Sequence, residues 1–255
     1  MTHYLAVSPG IPELPQPTVR LFCFHHAGAG ALTFARWRPR FPLDVQVLPV
    51  RLPGRETRLR EPRITDSGQL LAELDTHLGP LLEGPHAFYG HSLGALVAYR
   101  FALHRARAGH RPPLLVGVGA CAAPHLPTAL VEQADLPDEG LLAVLARYGT
   151  LPPYLLERPK WLSILLSTMR DDLRLARSLR EGPGERLPGP LYGFAGTEDM
   201  VATVPAVAAW SRYTSAAFDL RTVAGGHFFV RDAELPALLA AELRLLSPSH
   251  PITRT

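Results

Sequence analysis

The sequence predicts an α/β fold: a doubly wound, mostly parallel sheet with an inserted helical lid. Three observations predict it. Apolar runs of strand length alternate with helix-length patterns, and runs that are continuous rather than alternating belong to strands covered on both faces. One run, His86-Ala87-Phe88-Tyr89, passes through Gly90-His91-Ser92-Leu93-Gly94 into the helix-favouring Ala95-Leu96-Val97-Ala98-Tyr99, so a serine stands at a strand-to-helix turn. Late in the chain two helical patterns fall between consecutive strands, which is more than one crossover needs.

Taken in order, residues 1–17 hold four prolines and read as an N-terminal arm. They lack a basic stretch followed by an apolar one and do not resemble a signal peptide. Val19-Arg20-Leu21-Phe22-Cys23-Phe24 reads as a buried strand that ends in the small-residue loop His25-His26-Ala27-Gly28-Ala29-Gly30-Ala31. A second strand over 45–50 leads to Arg51-Leu52-Pro53-Gly54-Arg55-Glu56. A helix over 67–82 sets Leu70, Leu74 and Leu78 on one face, with Asp66 or Ser67 as N-cap. The serine-bearing turn and its helix follow, the helix carrying Leu96, Tyr99 and Leu103 inward. Further strands fall at 114–119, 191–195 and 218–223, and a helix over 232–246 precedes a polar tail, 248–255. No repeat or linker divides the chain, so 18–247 reads as a single domain.

The inserted region, about 130–182, carries helical patterns at 137–148, stopping at Gly149, and at 159–179, with Pro152-Pro153 between them. The second places Trp161, Leu165, Met169 and Leu173 at steps of four, with Leu162 and Leu166 beside them. On the side where loops gather, this pair would cap the serine, with Trp161, Leu165 and Met169 facing the substrate. The competing reading makes them ordinary crossover helices.

Composition limits the classes open to the chain. Of 255 residues 47% are apolar and 19% charged, which suits a buried core and opposes disorder. No apolar run reaches the length of a membrane span. Cys23 and Cys121 lie in strand-like runs and read as small core residues, which fits a reducing cytoplasm. Net charge is +3, with Lys160 the single lysine and arginines grouped at Arg36, Arg38, Arg40 and at Arg51, Arg55, Arg58, Arg60, Arg63. These read either as a solvated surface or as a patch for an acidic partner. No nucleic-acid reader motif accompanies them. Nothing signals an oligomer, and a monomer is expected.

A serine hydroxyl needs a base within reach and a carboxylate to orient that base. His227, in Val223-Ala224-Gly225-Gly226-His227-Phe228-Phe229, follows the last strand on a glycine loop and is the base candidate; the alternative is a histidine packed beside Phe228. Gly196-Thr197-Glu198-Asp199-Met200-Val201 offers two carboxylates. Asp199 fits a turn that faces the His227 loop, and Glu198 remains the alternative. Residues 121–130 hold no acid, which excludes a placement one strand earlier. Backbone N–H donors for a developing oxyanion fall at Leu93, next after the serine, and at Ala27. His25 and His26 lack a third ligand at metal spacing, so no metal is expected, and no cofactor. A carrier protein's pantetheine-bearing serine occurs in a similar Gly-His-Ser-Leu context. Such a site needs no glycine after the leucine and sits in a small helical module; Gly94 and the surrounding strands oppose it. The order serine, acid, histidine is that of the α/β-hydrolase fold.

With these residues the chain resembles the type II thioesterases, free-standing editing enzymes of non-ribosomal peptide and polyketide synthases. The resemblance covers 19–246. It rests on Phe24-His25-His26-Ala27-Gly28-Ala29-Gly30 with Phe34 and Trp37, on Leu52-Pro53-Gly54-Arg55-Glu56 with Arg58, on Gly90-His91-Ser92-Leu93-Gly94-Ala95, on 196–201, and on Gly225-Gly226-His227-Phe228-Phe229. The Leu-Pro-Gly-Arg-Glu segment discriminates most, since generic lipases and esterases lack it. The family more often has proline at His25 and glycine at Ala29. Arg170-Asp171-Asp172 resembles a structural Arg-x-Asp element of the family. The resemblance implies an acyl thioester on the phosphopantetheine arm of a carrier protein as substrate, in the cytoplasm. Carrier domains are usually acidic, so Arg55 and Arg58 become a candidate docking face. Other readings are a medium-chain acyl-carrier thioesterase of fatty acid synthesis, a carboxylesterase for small esters and, outside catalysis, a carrier-binding module on a hydrolase fold. A macrocyclising thioesterase fits less well, with no carrier domain preceding and the acid after the later strand.

Overall fold

Six strands, β1 (Val19–Phe24), β2 (Val45–Pro49), β3 (His86–His91), β4 (Val116–Gly119), β5 (Leu191–Gly196) and β6 (Phe218–Val223), form one sheet in the order β2-β1-β3-β4-β5-β6. All five pairings are parallel. The computed structural model describes residues 2–6, 19–149, 156–181 and 184–246. Most of the proline-rich arm (7–17), Pro152-Pro153 and the tail 248–255 lie outside the described residues.

The continuous apolar runs explain the layering. Phe22, Phe24 and Phe88 point to one face of the sheet, where α1 (Ser67–Leu78), α2 (Leu93–Arg107) and α5 (Pro159–Arg180) bury their apolar stripes. Leu21, Cys23 and Tyr89, one residue out of phase, point to the other face. There α7 (Glu234–Leu246) packs with Phe34, Trp37 and Phe41 from two 3₁₀ turns. α1 starts on Asp66, whose carboxylate accepts from Gln69 N at 2.8 Å. It is shorter than the periodicity suggests. Pro80 has no N–H for the α-helical ladder, and the chain turns 3₁₀ over Gly79–Leu81.

Between β4 and β5 stand α3 (Ala129–Glu132), α4 (Asp138–Arg147) and α5. The two readings of this region each describe half of α5. Its C-terminal half packs on α2 as a crossover helix, and Arg100 of α2 caps it through Leu179 O (2.6 Å) and Glu181 O (2.7 Å). Its N-terminal half stands over the loop after β1, where a Cβ on Gly28 would lie 2.9 Å from Met169 Cε. The short α6 (Val204–Ala208) follows β5.

The start of the arm is part of the fold. Leu5 bridges Val50 in antiparallel fashion, and Ala6 N donates to Pro49 O at 3.0 Å. Tyr4 is fully buried, stacks on His77 and donates its hydroxyl hydrogen bond to Glu73.

Candidate active site

Ser92 joins β3 to α2 at φ 55°, ψ −113°, a conformation few L-residues adopt. Such strain costs about 1–3 kcal/mol and persists where the surroundings fix it. Two glycines let those surroundings close in. A Cβ on Gly90 would collide with Gly94 O, and one on Gly94 with Phe24 O. Ser92 N donates to Gly119 O at 2.8 Å, which ties the turn to β4.

Asp199 and His227 meet beyond the carboxyl ends of β5 and β6. Asp199 Oδ1 accepts from Val201 N (2.8 Å) and Ala202 N (3.0 Å), while Oδ2 lies 2.9 Å from His227 Nδ1. An ionised carboxylate only accepts, so Nδ1 carries the proton and His227 Nε2 is the nitrogen left for chemistry. Asp199 is buried; Glu198, the alternative acid, is exposed. His91, directly before the serine, donates from Nε2 to His227 O at 2.7 Å, and its Nδ1 accepts from Tyr89 Oη at 2.8 Å. Burial first, then the neighbouring His227 and His26, hold His91 well below its ordinary pKa, so the ring is neutral and its single proton serves the His227 carbonyl. The Tyr89–His91 pair therefore fixes the His227 loop against the serine turn.

Two backbone donors point to a third component. Leu93 N opens α2 and has no intrahelical acceptor. In the loop after β1, Gly28 N donates to Asp172 Oδ2 (2.8 Å) and Ala29 N to His26 O (3.2 Å), whereas Ala27 N has no acceptor among the described residues. Ala27, Ser92 and Leu93 line a common cavity of about 40 Å³, with Leu173 and Ala176 of the lid helix also in its wall. A groove of about 780 Å³ lies nearer the N-terminal end of the lid helix, lined by His26, Gly28, Leu59, Trp161, Leu165 and Arg231 among others.

The site departs from the sequence reading in two places. Arg55 and Arg58 do not form a docking face. They are only 7% and 8% exposed. Arg55 is held by Asp172 through two hydrogen bonds (3.0 and 2.8 Å) and by Ala29 O (2.8 Å). Arg58 pairs with Glu61 and lies 4.1 Å over the Tyr4 ring. Guanidinium groups this deeply buried and bonded offer little surface to a partner. The lid stripe is also divided: Trp161 is 61% exposed and lines the groove with Leu165, Met169 presses on Gly28, and Leu173 and Ala176 line the serine cavity. Leu173 was visible one turn further along the same stripe. The small Ala176 and the buried carboxylate of Asp172 carried no comparable periodic signal.

A strained serine turn, a buried carboxylate–imidazole pair and two N–H groups without an acceptor among the described residues, all beyond the carboxyl ends of a parallel sheet, are the features of serine hydrolases of the α/β-hydrolase fold. Within that class, residues 19–242 match the thioesterase domain model, and the chain belongs to the thioesterase family. It is 31% identical to the gramicidin S biosynthesis protein GrsT of Aneurinibacillus migulanus over 230 residues, which cover 89% of this chain and 90% of that one. Among solved structures, RedJ, a thioesterase from the prodiginine biosynthetic pathway in Streptomyces coelicolor, superposes with a TM-score of 0.80 at 31% identity, covering 93% of this chain and 97% of RedJ. BorB, a type II thioesterase from the borrelidin biosynthetic cluster, gives 0.79 at 30% identity over 94% and 98%.

Proposed function

We propose that this thioesterase acts as a type II editing enzyme, hydrolysing stalled or aberrant acyl groups from the phosphopantetheine arm of carrier proteins of a polyketide or non-ribosomal peptide synthase. The pairing of His227 Nδ1 with a doubly anchored Asp199 carries the mechanistic part of this reading. Ser92 Oγ attacks the thioester carbonyl while His227 Nε2 takes its proton. Asp199 keeps the other ring nitrogen protonated and stabilises the imidazolium. The tetrahedral oxyanion is met by the N–H groups of Ala27 and Leu93. Collapse breaks the C–S bond, and His227 returns its proton to the departing thiolate. Water then attacks the acyl-serine with His227 again as base, giving the free acid and the regenerated hydroxyl.

The thioester class is supported by the family, and carrier-bound substrates by the biosynthetic settings of GrsT, RedJ and BorB. A cytoplasmic setting is supported by the two free thiols, both buried and both raised in pKa by burial, Cys121 to about 11.

The test is turnover of acetyl- and propionyl-loaded carrier protein. Wild-type protein should release both acids, and Ser92→Ala should lose at least about 10³-fold in kcat and fail to react with a fluorophosphonate probe. Labelling that survives Ser92→Ala would refute the nucleophile.

A further inference from the structure

We infer that Asp172, on the lid helix, and Arg55, in the Leu-Pro-Gly-Arg-Glu segment, are positioning residues that set the oxyanion hole by fixing the backbone of the Ala27–Gly28–Ala29 loop. The inference rests on the reading of that loop as an oxyanion hole.

Three separate parts of the chain converge here. Asp172 Oδ2 accepts from Gly28 N at 2.8 Å and from Arg55 Nη1 at 3.0 Å, and Oδ1 accepts from Arg55 Nη2 at 2.8 Å. Arg55 Nη1 also donates to Ala29 O at 2.8 Å. The carboxylate thus grips the loop by an N–H and the guanidinium grips it by a C=O one residue on. The peptide plane before Gly28 and the one after Ala29 are pinned, Ala29 N donates to His26 O between them, and Gly28 itself sits at φ +73°, which a side chain would strain. With Gly28 N and Ala29 N both occupied, Ala27 N is the donor of these three without an acceptor among the described residues, and Ala27 lines the Ser92 cavity.

The chemistry suits the task. Asp172 is 1% exposed and fully ionic pairing is needed to keep it charged there. Burial acts to raise its pKa, but Arg55, assisted by Gly28 N–H, holds it below the ordinary carboxylate range. The negative charge near a developing oxyanion is offset by the Arg55 charge bound to it, so the pair supplies geometry without an opposing field. Because the bidentate fork of arginine meets both carboxylate oxygens, lysine cannot replace it. The same contacts explain why a surface role for Arg55 fails: its guanidinium is buried and turned inward to Pro53, Ala29 and Asp172.

Breaking one half of a buried ion pair destabilises a protein, so the decisive variant removes both halves. Replacing a buried pair by apolar side chains of similar volume is often neutral for stability. Arg55→Met/Asp172→Leu should therefore fold, with wild-type near-UV circular dichroism, yet leave the loop unpinned. The expected result is a fall in kcat on the order of 10²-fold, the cost of a misplaced catalytic group, with KM changed less than about threefold. Affinity for an alkyl boronic acid, whose tetrahedral adduct on Ser92 needs the same N–H groups, should fall by the same factor as kcat. Asp172→Asn and Arg55→Lys give the same split if the double variant fails to fold. Folded variants with wild-type kcat and boronate affinity would overturn the inference. A wild-type protein that neither turns over acyl-carrier thioester nor binds the boronate would instead remove the thioesterase reading beneath it.

Discussion

Asp199 has both carboxylate oxygens committed, Oδ1 to two backbone N–H groups and Oδ2 to His227. An amide at this position can present only one acceptor oxygen. With the backbone donors claiming it, the NH₂ group would face His227 Nδ1 and force the proton to Nε2, the wrong tautomer for a base. Asp199→Asn should therefore lower kcat on the order of 10³–10⁴-fold with KM little changed. Glu198→Gln, at an exposed neighbour, should stay within about twofold in the same steady-state assay. The reverse pattern would transfer the role to Glu198. The choice between these adjacent acids was legible in the sequence because the Gly196 turn sets which side chain faces inward. The fate of Arg55 was not legible: its partner lies 117 residues away, and a sequence shows a charge without showing what neutralises it.

Among the elements, the strands were the most legible. Runs such as Leu21-Phe22-Cys23-Phe24 are apolar on both faces, and only a covered strand satisfies that pattern. The serine turn was legible for a steric reason, since Gly90 and Gly94 stand where a Cβ would meet backbone oxygen. The lid helix was legible as a helix and as an amphipathic stripe, but not as an object with two targets. Which turns of α5 reach the groove, the Gly28 loop or the serine cavity depends on its tilt over the sheet, and periodicity does not encode tilt. The first residues were the least legible. Tyr4 is anchored by Glu73 and His77 of α1, contacts that a proline-rich context gives no reason to expect.

For the molecule as a whole, the buried histidines set how stability depends on pH. His25 is lowered from 6.5 to about 3 and His26 to about 4, in both cases chiefly by burial; His91 is lowered well below, and His86 also lies under the ordinary value. In the folded state these rings stay neutral at pH values where the unfolded chain binds protons. The stability they permit is complete above the unfolded pKa and is lost as pH falls from about 6.5 through about 4 toward about 3. Asp172, lowered in the folded state, adds a loss of the same sign at still lower pH. The urea midpoint should therefore drop clearly between about pH 7.5 and about pH 5. A midpoint that stays flat across that interval would contradict a core that holds its imidazoles neutral.

The central claim is that a carrier-bound acyl group passes through Ser92 on its way to water. It is tested most directly by mixing the protein with acetyl-loaded carrier protein, quenching in acid within the first turnovers, and mapping the peptides by mass spectrometry. The account predicts a transient acetyl ester on the peptide containing Ser92, appearing before free acetate and absent in Ser92→Ala. Acetate release with no acyl group on Ser92, or with the acyl group on another residue, would contradict it.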